Sequence, residues 1–182
     1  MNMKIALATT ILAAATLATS ATAFSGTKTQ IKEQVSATLV QFNTINPANV
    51  TLGSKAAGIL VFPRVTKGGI GIGGEHGEGA LQVNGKTVGF YSVGAASVGL
   101  TLGLAAHSEI IMFMTQESLD KFVASDGWSI GADAGITVIS GGASGNYDTQ
   151  TQQKPILGFI FAEQGLIGDL SLEGSKISRI KT

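Results

Sequence analysis

Two hydrophobic periodicities divide the chain. Thr27-x-x-Gln30 has the form of a capping box, in which each side chain satisfies an orphan backbone donor of the other's turn. After it, Ile31, Val35, Leu39 and Phe42 recur at helical spacing, with Lys28, Lys32, Glu33 and Gln34 elsewhere on the wheel. This spacing predicts an amphipathic helix over residues 28–42, ending before Asn46-Pro47. A second helix is predicted over 116–125, with Thr115 as N-cap, Leu119, Phe122 and Val123 on one face, and Asp126-Gly127 as the stop. Ser54 to Ala57 adds a single helical turn.

Most of the remainder has period two. Gly58 to Phe62 is a continuous apolar run before Pro63 and reads as a buried strand. Val98, Leu100, Leu102 and Leu104 alternate with small residues. Ile130 to Ile139, Ile156 to Ala162 and Leu166 to Leu172 also read as strands. Asn84-Gly85 between Leu81–Val83 and Thr87–Tyr91 is a two-residue hairpin signal. Glycines fall on strand parity as well as in turns, which lets backbone approach closely or bends a sheet toward closure. The expected fold is α+β: a mostly antiparallel, strongly curved or barrel-like sheet with two or three packed helices.

Composition sharpens this picture. Of 182 residues 44% are hydrophobic and only 13% charged, so the chain is not of the disordered class. The 12 Lys+Arg against 12 Asp+Glu give no basic excess of the kind that marks a nucleic-acid binder. There is no cysteine, hence no disulfide, thiolate metal site or Cys-linked lipid anchor. Met1 to Lys4 is a basic start, Ile5 to Leu17 is apolar, and Ser20-Ala21-Thr22-Ala23 supplies an A-x-A processing site. That pattern predicts export with cleavage after Ala23, in the periplasm or associated with the envelope. The apolar stretch is too short for a membrane span, which needs about 20 residues. The charges are unevenly distributed: residues 24–90 carry +3, residues 91–175 carry −7, and Lys176, Arg179 and Lys181 return +3. If the two basic ends meet in space, a neutral chain presents a basic face.

Several motifs carry chemistry in other proteins. Gly69-Ile-Gly-Ile-Gly-Gly74 fits the dinucleotide fingerprint, but that motif opens a helix, and Glu75-His76-Gly77-Glu78-Gly79 would break one. Gly127-Trp-Ser129-Ile-Gly131 fits the nucleophile elbow, which needs a strand before the serine and a helix after it; the predicted order is the reverse. Glu75, His76 and Glu78 are weak metal-ligand candidates, since Glu75 and Glu78 face opposite sides of a strand. His107 reads as a packing residue at a strand end. No metal or cofactor is expected. Thr87 to Ala106 is uncharged and contains Gly99-x-x-x-Gly103, but its large/small alternation favours strands over a membrane helix.

Lys55-x-x-Gly58-Ile-Leu-Val-Phe-Pro63, then Lys67-Gly-Gly-Ile-Gly-Ile-Gly-Gly74 and Gly77-x-Gly79, resemble the SYLF (Ysc84, DUF500) family. Phe122-x-x-Ser125-Asp-Gly-Trp128 and Gly165-Leu-x-x-x-Leu-Ser-Leu-Glu-Gly174 continue the resemblance, which is closest to the exported bacterial branch of lipid-binding SYLF proteins. With the signal peptide (1–23) and the amphipathic helix and linker (24–53), it gives an expected organisation that ends in a SYLF-like domain (54–182). It also implies phospholipid binding without catalysis. By position the candidate lipid-binding residues are Lys28, Lys32, Lys55, Arg64 and Lys67, and the motif glycines Gly58, Gly68, Gly69, Gly73, Gly77 and Gly79 are structural. Export argues against actin and phosphoinositide as ligands, and favours anionic bacterial phospholipid. The helix over 28–42 would lie in the membrane interface with its apolar stripe inserted. The alternatives are a self-assembling envelope protein and a hydrolase built on Ser129.

Overall fold

The computed structural model describes residues 27–70, 72–98, 103–139, 147–162, 165–167 and 171–181; the expected export signal lies outside them. Helix α1 spans Lys28–Ile45 and opens with the capping box. The Gln30 amide donates to Thr27 Oγ1 at 3.3 Å, and the Thr27 amide donates to Gln30 Oε1 at 2.9 Å. Ile31, Val35 and Phe42 are buried. Helix α2, Ala48–Lys55, is longer than the single turn expected. Its start is fixed by the fully buried Asn49, whose Nδ2 donates to the Phe42 carbonyl at 2.6 Å and ties α2 to the end of α1.

The strands are β1 (Gly58–Ile70), β2 (Ile72–Val83), β3 (Lys86–Val98), β4 (Gly103–Phe113), β5 (Trp128–Ser129), β6 (Thr137–Ile139), β7 (Ile156–Ala162), β8 (Gly165–Leu166) and β9 (Lys176–Arg179). Helix α3 (Gln116–Ala124) follows β4, and α4 (Thr149–Gln152) precedes β7. All the strands join one curled sheet in the order β5-β9-β3-β2-β1-β4-β7-β6, with β8 on β7. Every pairing is antiparallel except β6 with β7. This is the α+β, mostly antiparallel, curved fold that strand parity and glycine placement predict.

Each face of the sheet has its own core. On one, Leu60, Phe62, Leu81, Tyr91 and Phe113 pack against Leu119 and Phe122 of α3 and against Trp128. On the other, Val61, Ile110, Met112 and Phe159 pack under Ile31, Val35, Phe42 and Leu52 of α1 and α2. Phe122 is the hub of the first, with ring centroids 4.8 Å from Phe113, 5.0 Å from Tyr91 and 5.3 Å from Trp128.

Four local expectations change. Strand β1 does not stop before Pro63: a bulge between Val61 and Arg64 absorbs the proline, which has no amide to give the ladder. The Pro63 carbonyl is used instead, accepting from Ser108 Oγ at 2.8 Å. Residues 130–139 are not one strand, because Gly131 turns at φ 94° and an Ile130–Ala134 bridge closes a turn before β6. Of 166–172, β8 takes only Leu166, and residues 168–170 lie outside the described set. Val123 is 43% exposed, since the buried stripe of α3 runs through Ser118, Leu119 and Phe122.

The bulge also explains two motif glycines. A Cβ on Gly79 would lie 2.0 Å from the Val61 carbonyl oxygen, and one on Gly77 would lie 2.9 Å from that of Arg64. Only hydrogen fits where β1 folds over β2. Gly58 leaves room for Leu119, whose Cδ1 would be 2.8 Å from an added Cβ. Gly69 pairs with Gly73 beside the β1–β2 tip, next to the pair of Gly68 with Gly74.

Candidate functional site

The first turns of α1 lie over Phe90 of β3. Lys28 Nζ and Lys32 Nζ stand 5.6 and 5.9 Å from the centre of its ring, and both residues are exposed. An ammonium over an aromatic face is attracted by the ring quadrupole while its head stays wet. The C-terminal segment reaches the same place. Strand β9 pairs with β3 so that Arg179 lies opposite Tyr91, and the Ile180 amide donates to the Phe90 carbonyl at 2.9 Å. Arg179 and Lys181 are exposed, but Arg179, opposite Tyr91, projects to the α3 face with Tyr91 and Ile177, whereas the Phe90 ring lies on the α1 face. The two basic ends of the sequence thus reach one strand, with Arg179 on the face away from Lys28 and Lys32. Val88, the extra residue of a bulge between β2 and β3, adds an apolar point at 48% exposure.

The other sequence candidates are scattered. Arg64 is exposed on β1 and lines an open groove of about 840 Å³ together with Gln30 and Gln34 of α1 and Thr66 of β1. Glu75, His76 and Glu78 of β2 line it too, so its charge is mixed. Lys67, three residues beyond Arg64, points to the opposite face by strand parity. Lys55 ends α2 and donates to Gln152 Oε1 at 3.3 Å; it precedes β1, whereas Arg64 lies six residues inside that strand, roughly 20 Å along it. The fold thus gathers Lys28 and Lys32 over Phe90 and brings the basic C-terminal segment to the same strand, with Arg179 on its other face. It also corrects the expected interfacial insertion: Ile31, Val35 and Phe42 are spent on the sheet, at 4%, 0% and 0% exposure. The outward side of α1 is mostly polar, with Val40 exposed on it.

A polar cluster lies on the α3 side of the sheet. Glu109 is 1% exposed and His107 7%, and His107 Nε2 is 2.9 Å from Glu109 Oε1. Glu75 reaches the same spot from β2, with its Oε1 accepting from Ser175 Oγ at 3.0 Å. One ligand-capable atom from each of Glu75, His107 and Glu109 lies within 4.8 Å of the other two. Burial holds the Glu109 carboxyl above the usual carboxylate range; the His107 hydrogen bond and charge act against this, and Glu75 adds to it. Sequence reading paired Glu75 with Glu78 and treated His107 as packing. The signal available was His107-x-Glu109, two residues on one face of a strand that continues into Ile111 and Phe113.

Residues 94–182 match the family described as Ysc84: Las17-binding protein actin regulator. The chain carries a Ysc84 (SYLF) domain. The Ysc84 match begins inside β3 and takes in β4, α3, β7 and β9, including Arg179 and Lys181. The motif blocks on β1 and β2 precede the matched segment but pair into the same sheet. No curated protein matches the chain. Within the Ysc84 fold the two catalytic motifs lose their context. Ser129 is followed by a turn rather than a helix, and its amide donates to Asp133 Oδ2 at 2.6 Å. The glycine run from Gly69 to Gly74 sits at a hairpin tip, where no helix N-terminus waits for a phosphate. No helix among the described residues is long and apolar enough to cross a membrane.

Proposed function

We propose that this protein is a non-catalytic binder of anionic phospholipid surfaces at the bacterial envelope, making contact through the basic rim around Phe90. The observation that carries the reading is the placement of exposed Lys28 and Lys32 over the ring of Phe90. Each cation close to an anionic surface contributes about 1 kcal/mol, so the two together supply about 2 kcal/mol. The acidic residues Glu117 and Asp120 belong to α3, which packs on the sheet face opposite α1, away from the helix side of this rim. The basic start, apolar stretch and A-x-A site at the N-terminus support export, and export sets bacterial phospholipid ahead of actin. With the apolar stripe of α1 held in the core, contact is electrostatic and superficial, with Val88 and the lysine stems as the apolar supplement. Co-sedimentation with vesicles tests it: binding requires anionic lipid and weakens with salt, whereas a hydrolase reading requires turnover that Ser129→Ala abolishes.

A further inference from the structure

We propose that Glu75, His107 and Glu109 form a binding site for one divalent transition-metal ion of the Zn²⁺ type. The case starts from an unmet demand. Glu109 Oε2 is buried without a hydrogen-bond partner, the one such side-chain atom among the described residues. Burial of a carboxylate oxygen without a donor is strongly disfavoured, and protonating Glu109 does not answer it, because Oε2 would then carry a proton with no acceptor or remain bare. A cation seated against Oε2 does answer it.

The donor set selects the cation. One imidazole and two carboxylates suit Zn²⁺ or Mn²⁺ better than Ca²⁺, which takes six to eight oxygen ligands. Zinc–nitrogen and zinc–oxygen bonds of about 2.1 Å place tetrahedral ligand atoms about 3.4 Å apart. The observed separations within 4.8 Å need only small side-chain rotations to reach that. Curling of the sheet makes this possible: His107 on β4 and Glu75 on β2 lean toward each other across β1, where Val65 pairs with both His107 and the side-chain-free Gly77. Ser175, fully buried, already orients Glu75 by donating to its Oε1, as outer-shell groups do at metal sites. Half-buried Glu75 gives the ion a way in from solvent. On binding, the proton shared between His107 Nε2 and Glu109 Oε1 leaves to solvent, and the metal takes His107 Nε2 together with the Glu109 carboxylate through Oε2.

The test is a competition titration of Zn²⁺, and separately Mn²⁺, between a chromophoric chelator and the tag-free protein, with thermal unfolding recorded in parallel. The expected result is one Zn²⁺ per chain and a raised unfolding midpoint. His107→Gln and Glu109→Gln should each weaken binding by more than about tenfold, the least that disturbing even an outer-shell group costs. Should either buried variant fail to fold, Glu75→Gln at the half-buried rim should give the same loss in a folded protein. His76→Gln, at the only other histidine, should leave affinity unchanged. Absence of stoichiometric binding of either ion overturns the proposal. So does wild-type affinity in Glu75→Gln, or a loss that follows His76 instead of His107.

Discussion

The backbone amide of Ile180 donates to the carbonyl of Phe90, and through that bond the C-terminal strand is tied to the residue whose ring lies under Lys28 and Lys32. Residues nearly the whole described chain apart thereby meet on one strand, Lys28 and Lys32 on its Phe90 face and Arg179 on its Tyr91 face. If the Phe90 face makes the contact, neutralising its two lysines should weaken membrane binding more than neutralising the C-terminal cations. Lys28→Gln with Lys32→Gln should cost about 2 kcal/mol, roughly 30-fold in vesicle affinity, and Arg179→Gln with Lys181→Gln distinctly less. Lys55→Gln, placed away from the rim, should leave affinity within about twofold. Equal losses at Lys55 and at the rim, measured in one vesicle titration, would show that net charge alone is being read.

The bulge at Pro63 sets a sharp steric limit. Gly79→Ala drives a Cβ to 2.0 Å from the Val61 carbonyl oxygen, and the backbone must move. Destabilisation of at least ~3 kcal/mol is expected in denaturant titration. Gly74→Ala meets only the Ala95 carbonyl oxygen at 3.4 Å and should cost under ~1 kcal/mol. Comparable losses at both positions would mean that β1 does not press on β2 at Gly79.

Phe122 joins three aromatic rings on the α3 face. Truncation by Phe122→Ala should cost ~3–5 kcal/mol, as for other buried aromatic side chains. Val123→Ala, one residue on and largely exposed, should cost well under ~1 kcal/mol. Thermal or denaturant unfolding of the two variants compares them directly.

Tyr147 predicts a pH dependence. Burial pushes its hydroxyl above the ordinary value of 10.0, with a hydrogen bond from Asn46 acting the other way. A raised folded-state pKa contributes stability that is complete below the unfolded value and is lost as pH climbs through the folded one. Stability should therefore fall above about pH 10. Tyr91, raised by burial against the pull of Arg179, adds to the same slope. Tyr147→Phe also removes the 2.5 Å bond to Asn49 Oδ1, so it should be less stable by ~1–3 kcal/mol near neutrality, with a shallower alkaline decline. An unchanged alkaline slope would contradict this assignment.

Where local signals were sufficient, the sequence was legible. The Thr27/Gln30 capping box, the Asn84-Gly85 turn (φ 50° and 72°) and the apolar run of β7 each depend on neighbours within a few residues. What could not be read depends on long-range pairing. Pro63 looks like a strand terminator until Ser108 takes up its carbonyl, and β9 is too short and polar to stand out before it pairs with β3. His107 and Glu109 looked like ordinary strand positions because nothing local announces that Glu75 arrives from another strand. Among the lipid candidates, Lys28 and Lys32 share a helix face and stand together; parity separates Lys67 from Arg64, and only tertiary structure brings Phe90 under the two lysines.

Co-sedimentation of the protein with vesicles of graded phosphatidylglycerol content, at low and at physiological salt, is the most direct test of the central claim. Cations at an exposed rim are screened over about 8 Å at physiological ionic strength. The bound fraction should rise with anionic lipid, fall as salt is added, and drop for the Lys28/Lys32 variant. Failure to bind anionic vesicles at low salt, or equal binding to neutral ones, would contradict the account.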